Sequence, residues 1–68
     1  YSIDDEIDGI GGYTILIFFH PYFIIKFYLR IVGKPKIKID DIVLDNMDKD
    51  YAVEFAKKHL IKKINEIL

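Results

Sequence analysis

From Ile25 to Ile31 the chain alternates without a break: Ile25, Phe27, Leu29 and Ile31 are apolar, and Lys26, Tyr28 and Arg30 between them carry polar groups. Successive side chains of a strand point to opposite faces, so this rhythm reads as a strand buried on one side. After Gly33-Lys34-Pro35 the rhythm resumes, with Ile37 and Ile39 apolar and Lys36, Lys38 and Asp40 polar. Two alternating runs around a short Gly/Pro segment predict a hairpin. The preceding run, Tyr13 to Phe19, is apolar on both faces apart from Thr14, which suits a strand covered on both sides. Proline cannot donate to a sheet ladder, so His20-Pro21-Tyr22 is the expected break between the first two strands. The pattern predicts a three-stranded antiparallel meander over about 13–19, 24–32 and 36–44.

The same stretch admits a rival reading. Ile10 to Ile25 holds no formally charged residue; acids precede it, and Lys26, Arg30, Lys34, Lys36 and Lys38 follow. That asymmetry is the one expected of a single-pass membrane subunit, with residues about 12–32 spanning. The uncharged run is shorter than the roughly 20 residues a spanning helix needs, however, and Pro21 would sit in its middle. The strand reading, and with it a cytoplasmic protein, is therefore the primary expectation.

Sixty-eight residues bound the chain to one domain, and a core this small is marginal without disulfides or metal. Cysteine is absent, which removes thiolate metal sites and disulfide frameworks. Half of the residues are hydrophobic, which argues against disorder and for burial of some side chains against a second molecule. Glutamine is missing while Ile, Lys and acids are plentiful, a composition shared by heat-adapted proteins and by low-GC genomes.

The net charge of −1 is distributed in blocks: acids at Asp4, Asp5, Glu6 and Asp8, cations from Lys26 to Lys38, acids from Asp40 to Asp50, and a mildly basic end. With three glycines at 9, 11 and 12, residues 1–12 read as an acidic flexible arm ahead of a single α+β domain at 13–68. The spacing Asp4-x-Glu6-x-Asp8 lacks the closing Glu of a calcium loop, and Gly9-x-Gly11-Gly12 has no following Lys-Ser/Thr for phosphate.

A helix is predicted over about 49–68. Val53, Ala56, Leu60, Ile64 and Ile67 recur at helical spacing, and Asp48 or Asp50 suits the N-cap. A second stripe, Tyr51, Phe55 and His59, is rotated away from the first and is a candidate protein interface; the alternative is that neighbouring chain folds over it.

No catalytic, metal or cofactor constellation is present. His20 and His59 lie far apart in sequence and Ser2 is the sole serine, so neither a zinc site nor a Ser-His-Asp arrangement has a signature. Lys26, Tyr28 and Arg30, with Lys36 and Lys38 on the next strand, would interleave cations with a ring on one sheet face. Nucleic acid can bind such a face, although cations also populate solvent faces and protect sheet edges. The sequence thus favours a non-enzymatic protein–protein interaction module or small accessory subunit of a larger complex, expected to be oligomeric, with the membrane subunit and the nucleic-acid binder as rivals.

Overall fold

The computed structural model describes residues 1–19, 22–45 and 48–67. The elements run β1 (Ser2–Ile7), β2 (Gly11–Phe18), β3 (Phe23–Ile31), β4 (Ile37–Leu44) and α1 (Lys49–Ile67). The four strands form one antiparallel sheet in sequence order, a plain meander with the helix laid across one face.

The alternating run of β3 behaves as its rhythm requires. Phe23, Ile25, Phe27 and Leu29 are buried, while Ile24, Lys26, Tyr28 and Arg30 are only half-buried. β2 adds Ile15 and Ile17 to the same face, opposite Phe27 and Ile25. The helix covers them with Ala52, Ala56 and Leu60, one turn apart and all inaccessible. Two alanines carry no side-chain bulk beyond Cβ, so the first half of α1 can lie close against Ile15, Ile17 and Ile25, and Leu60 fills the space over the second half.

The helix begins where its cap dictates. Asp48 accepts the backbone N–H of Tyr51 on its carboxylate, and its carbonyl accepts the first helical bond from Ala52. Of the expected apolar stripe, Ala56 and Leu60 lie at the centre of the contact, Val53 and Ile64 lie on its flank, and Ile67 is 53% exposed beyond the sheet.

Residues 2–7 correct the expectation of a flexible arm: they pair with β2 from Ser2↔Leu16 to Ile7↔Gly11. The sheet therefore has four strands where the sequence predicted three. Ile3 and Ile7 share one face with Asp5 between them, and Ser2, Asp4 and Glu6 share the other, so charge hides the two-residue period of the strand. Glycine makes the turn that permits this. Gly9, at φ 81°, is the third residue of a turn closed by Ile10 N–H to the Ile7 carbonyl, and Gly33, at φ 79°, does the same between Ile31 and Lys34. Both turns lie at one end of the sheet, joined by the bond from Val32 N–H to the Ile10 carbonyl.

Within residues 12–32, β2 and β3 are thus paired antiparallel strands and not one spanning helix. No helix among the described residues is long and apolar enough to cross a membrane. The expected turn at His20-Pro21 lies outside the described residues.

Candidate functional site

One helix covers one face of the sheet, and the strand register assigns every residue of the other. Going across the strands, the rows on the open face are Phe18, Ile24 and Val43; then Ser2, Leu16, Lys26 and Asp41; then Asp4, Thr14, Tyr28 and Lys38; then Glu6, Gly12 and Arg30. A bulge in β4 keeps the two faces separate. Ile39 and Asp40 together oppose Phe27 on the helix side, and Asp41 then falls in line with Lys26 on the open side.

Lys26, Tyr28, Arg30, Lys36 and Lys38, singled out from sequence, are brought together on this open face. Their functional groups are already engaged. The Arg30 guanidinium lies over Gly12 and donates from Nη2 to the Asp5 carbonyl at 2.9 Å and the Tyr13 carbonyl at 3.3 Å, so the side chain of β3 ties down the edge strand β1. Only glycine leaves room for it: a Cβ at residue 12 would meet both Arg30 Nη2 and the Asp5 carbonyl oxygen at 2.5 Å. Lys38 pairs with Asp41 at 2.8 Å. The Lys36 ammonium sits 4.7 Å from the centre of the Tyr28 ring, and that of Lys26 5.8 Å from the Phe18 ring.

The face has a strong internal asymmetry. Its β1 side carries Asp4 and Glu6, whereas its β3–β4 side carries Lys26, Arg30, Lys36 and Lys38 against the single acid Asp41. Asp4 accepts a short bond from the Thr14 hydroxyl, and that bond holds its carboxyl below the usual range. At right angles to this division, one end of the face is apolar. Phe18 is 48% and Val43 61% exposed, with Leu16 and Ile24 half-buried beside them.

The second candidate surface, Tyr51, Phe55 and His59, forms a ladder of near-parallel rings, 6.4 and 6.1 Å between successive centroids. Residues four apart on a helix turn by about 40° relative to one another. The ladder therefore winds from solvent at Tyr51, through the half-buried Phe55, to His59 against the sheet.

His59 is accordingly not a free interface residue. Its Nε2 bonds the Asp40 carboxylate, its ring lies 4.9 Å from that of Phe27, and Lys63 Nζ stands 3.9 Å from the same Asp40 oxygen. The His59 bond, a backbone N–H from Asp41 and the charge of Lys63 together hold the Asp40 carboxyl below the ordinary aspartate range. Beside this fastening runs a shallow groove of about 280 Å³ lined by Phe55, Lys58, His59 and Lys62.

Sequence reasoning found neither the Asp40–His59 fastening nor the Gly12–Arg30 clasp. Its only clue to the first was an aspartate placed by the resumed alternation of β4; for the second it was a glycine pair opening an apolar strand. Among the described residues, no three His, Cys, Asp or Glu side chains converge as a metal site would require. No protein-family model, curated protein or solved structure matches the chain.

Proposed function

We propose that the chain is a non-enzymatic protein–protein interaction module, an accessory subunit that docks a protein through the sheet face turned away from its helix. The observation that carries this reading is the apolar corner at Phe18, Ile24, Val43 and Leu16, open on a sheet with only one covering layer. A sheet with an apolar patch on each face calls for a layer on each, and the described residues supply one. Lys26 and Asp41 border the corner in the next row without filling it, a polar edge to an apolar patch.

A nucleic-acid role has less support from the same geometry. Lys36 occupies the Tyr28 ring on which a base would stack, Arg30 is committed to backbone carbonyls, and Asp4, Glu6 and Asp41 share the face.

The test is site-specific photo-crosslinking in the cells that make the protein, with the reactive side chain at residue 43 on the open face or at Lys57 on the exposed side of the helix. Protein adducts from 43 that are absent from 57, and that disappear when Phe18 is changed to Asp, are the expected result. Equal labelling from both positions, or none from 43, overturns the reading.

A further inference from the structure

We infer that the layer over the open sheet face is a second copy of the same chain, packed face to face about a two-fold axis parallel to the strands. The inference rests on the reading of that face as a protein-docking surface and goes further by naming what docks.

The symmetry decides which residues meet. A two-fold axis lying between two stacked sheets and parallel to their strands, midway between β2 and β3, sets β1 of one copy over β4 of the other and β2 over β3. It leaves each row at its own height. Asp4 then faces the partner copy's Lys38 side, and Glu6 faces the cations at the β3–β4 side, where the Lys36 ammonium lies over Tyr28. In the apolar row Phe18 of each copy meets Ile24 of the other, with Val43 at the margin, past the end of β1.

The other in-plane axis, across the strands, fails on both counts. It sets β1 over β1, acid on acid, and the apolar end of one copy over the charged end of the other. A surface divided into acidic and basic halves along one direction, and apolar and polar ends along the other, is self-complementary for one two-fold only. Both axes keep the strands of the two sheets aligned, as packing at a separation of about 10 Å with strand directions within about 30° requires, so charge and apolarity alone select between them.

Area is consistent with a dimer of modest strength. Four strands spaced by about 4.8 Å and seven residues of about 3.4 Å present roughly 450 Å² of plane on each copy. Counting both copies and their side-chain relief gives roughly 1,000 Å², at the low end of specific interfaces, where weak and transient contacts lie.

The experiment is charge exchange followed by mixing. Sedimentation equilibrium of the purified chain over micromolar to millimolar concentrations should show reversible conversion to twice the 8.0 kDa chain mass. The pair Asp4→Lys with Glu6→Lys makes both halves basic, and Lys36→Glu with Lys38→Glu makes both acidic. Each variant alone should dissociate at least about tenfold more readily, because like charges face one another. An equimolar mixture should recover dimer, since a face that is net basic in both halves then meets one that is net acidic in both.

Circular dichroism verifies that each variant is folded, and the single changes Glu6→Lys and Lys36→Glu replace any double variant that is not. Variants that dimerise as the wild type does, or a mixture that stays monomeric, overturn the proposal. A wild-type chain monomeric at every concentration, whose residue 43 crosslinks to a protein of different mass, overturns the second copy and leaves the docking face standing. Monomer throughout with no crosslink from 43 removes both.

Discussion

The two faces of the sheet are built from the same four strands and solve opposite problems. On the helix side, Ile15, Ile17, Ile25 and Phe27 are inaccessible, and their packing with Ala56 and Leu60 supplies the apolar burial that holds the fold. On the open side the same strands are held by tethers: the Arg30 clasp across Gly12, the Thr14–Asp4 bond, and cations laid over rings. The first face stabilises the fold by area and the second by local bonds, which leaves the second face's apolar corner unused by the chain itself. If that division is right, equal deletions on the two faces must have unequal effects.

The largest inequality should come from Phe27→Ala. The ring is fully buried and touches the His59 ring across the layers, so its loss should cost about 3–5 kcal/mol. Against a total of roughly 3–10 kcal/mol for a chain of this length, that removes about a third of the stability at the least and all of it at the low end, read from the midpoint and amplitude of urea unfolding at 25 °C. A cooperative transition close to wild type would break the comparison at its first step.

The clasp should come next. Gly12→Ala drives a methyl group into Arg30 Nη2 and the Asp5 carbonyl oxygen, and should cost about 1–3 kcal/mol through displacement of β1. In an Arg30→Ala background part of that penalty should vanish, because the side-chain half of the collision is gone while the carbonyl half remains. A double-mutant cycle on urea midpoints measures the coupling. Purely additive effects would mean that Arg30 does not lie over Gly12 in solution.

How much of this was legible beforehand follows from which forces leave a mark on the sequence. The alternation of β3, the hairpin turn at Gly33 and the helix with its cap at Asp48 each express local chemistry, and each was read with its boundaries nearly right. β1 was missed because Asp4, Asp5, Glu6 and Asp8 hide a two-residue period carried by only Ile3 and Ile7, and because three glycines nearby suggested slack where they make a turn. The helix face was misplaced by part of a turn: Ala52 packs on the sheet and Ile67 does not, since small size, not hydrophobicity, governs how closely a helix approaches. The bulge at Ile39 and Asp40 has no signature in one sequence. With it went any view of Asp40 turning inward to His59, and so the change of His59 from open ring to fastening.

That fastening gives the third expectation, a dependence on pH. The folded-state carboxyl of Asp40 lies below its ordinary value of 3.8, so the unfolded chain takes up the proton first as pH falls. Its contribution is therefore complete above the ordinary aspartate range and is lost as pH drops through the lowered folded value. Asp40→Asn should cost about 1 kcal/mol near neutrality and should unfold with a shallower acid limb than wild type. Urea midpoints from pH 7 downward provide the measurement. Parallel acid limbs in the two proteins would show that the bond to His59 does not persist in solution.

The smallest effect on folding sharpens the comparison most. Phe18→Ser and Val43→Ser remove apolar side chains that are 48% and 61% exposed, from the face on which the chain places no layer of its own. Each should change the stability of the isolated monomer by no more than about 0.5 kcal/mol, the usual range for surface substitutions. The same changes should weaken association measurably, because a patch that contributes little to the monomer is fully buried only in the complex. Stability is therefore to be read at concentrations where the wild type is monomeric, and association separately by sedimentation. A loss of monomer stability comparable to that of Phe27→Ala would mean the open face belongs to the core. No change in either quantity would mean that the corner is merely exposed.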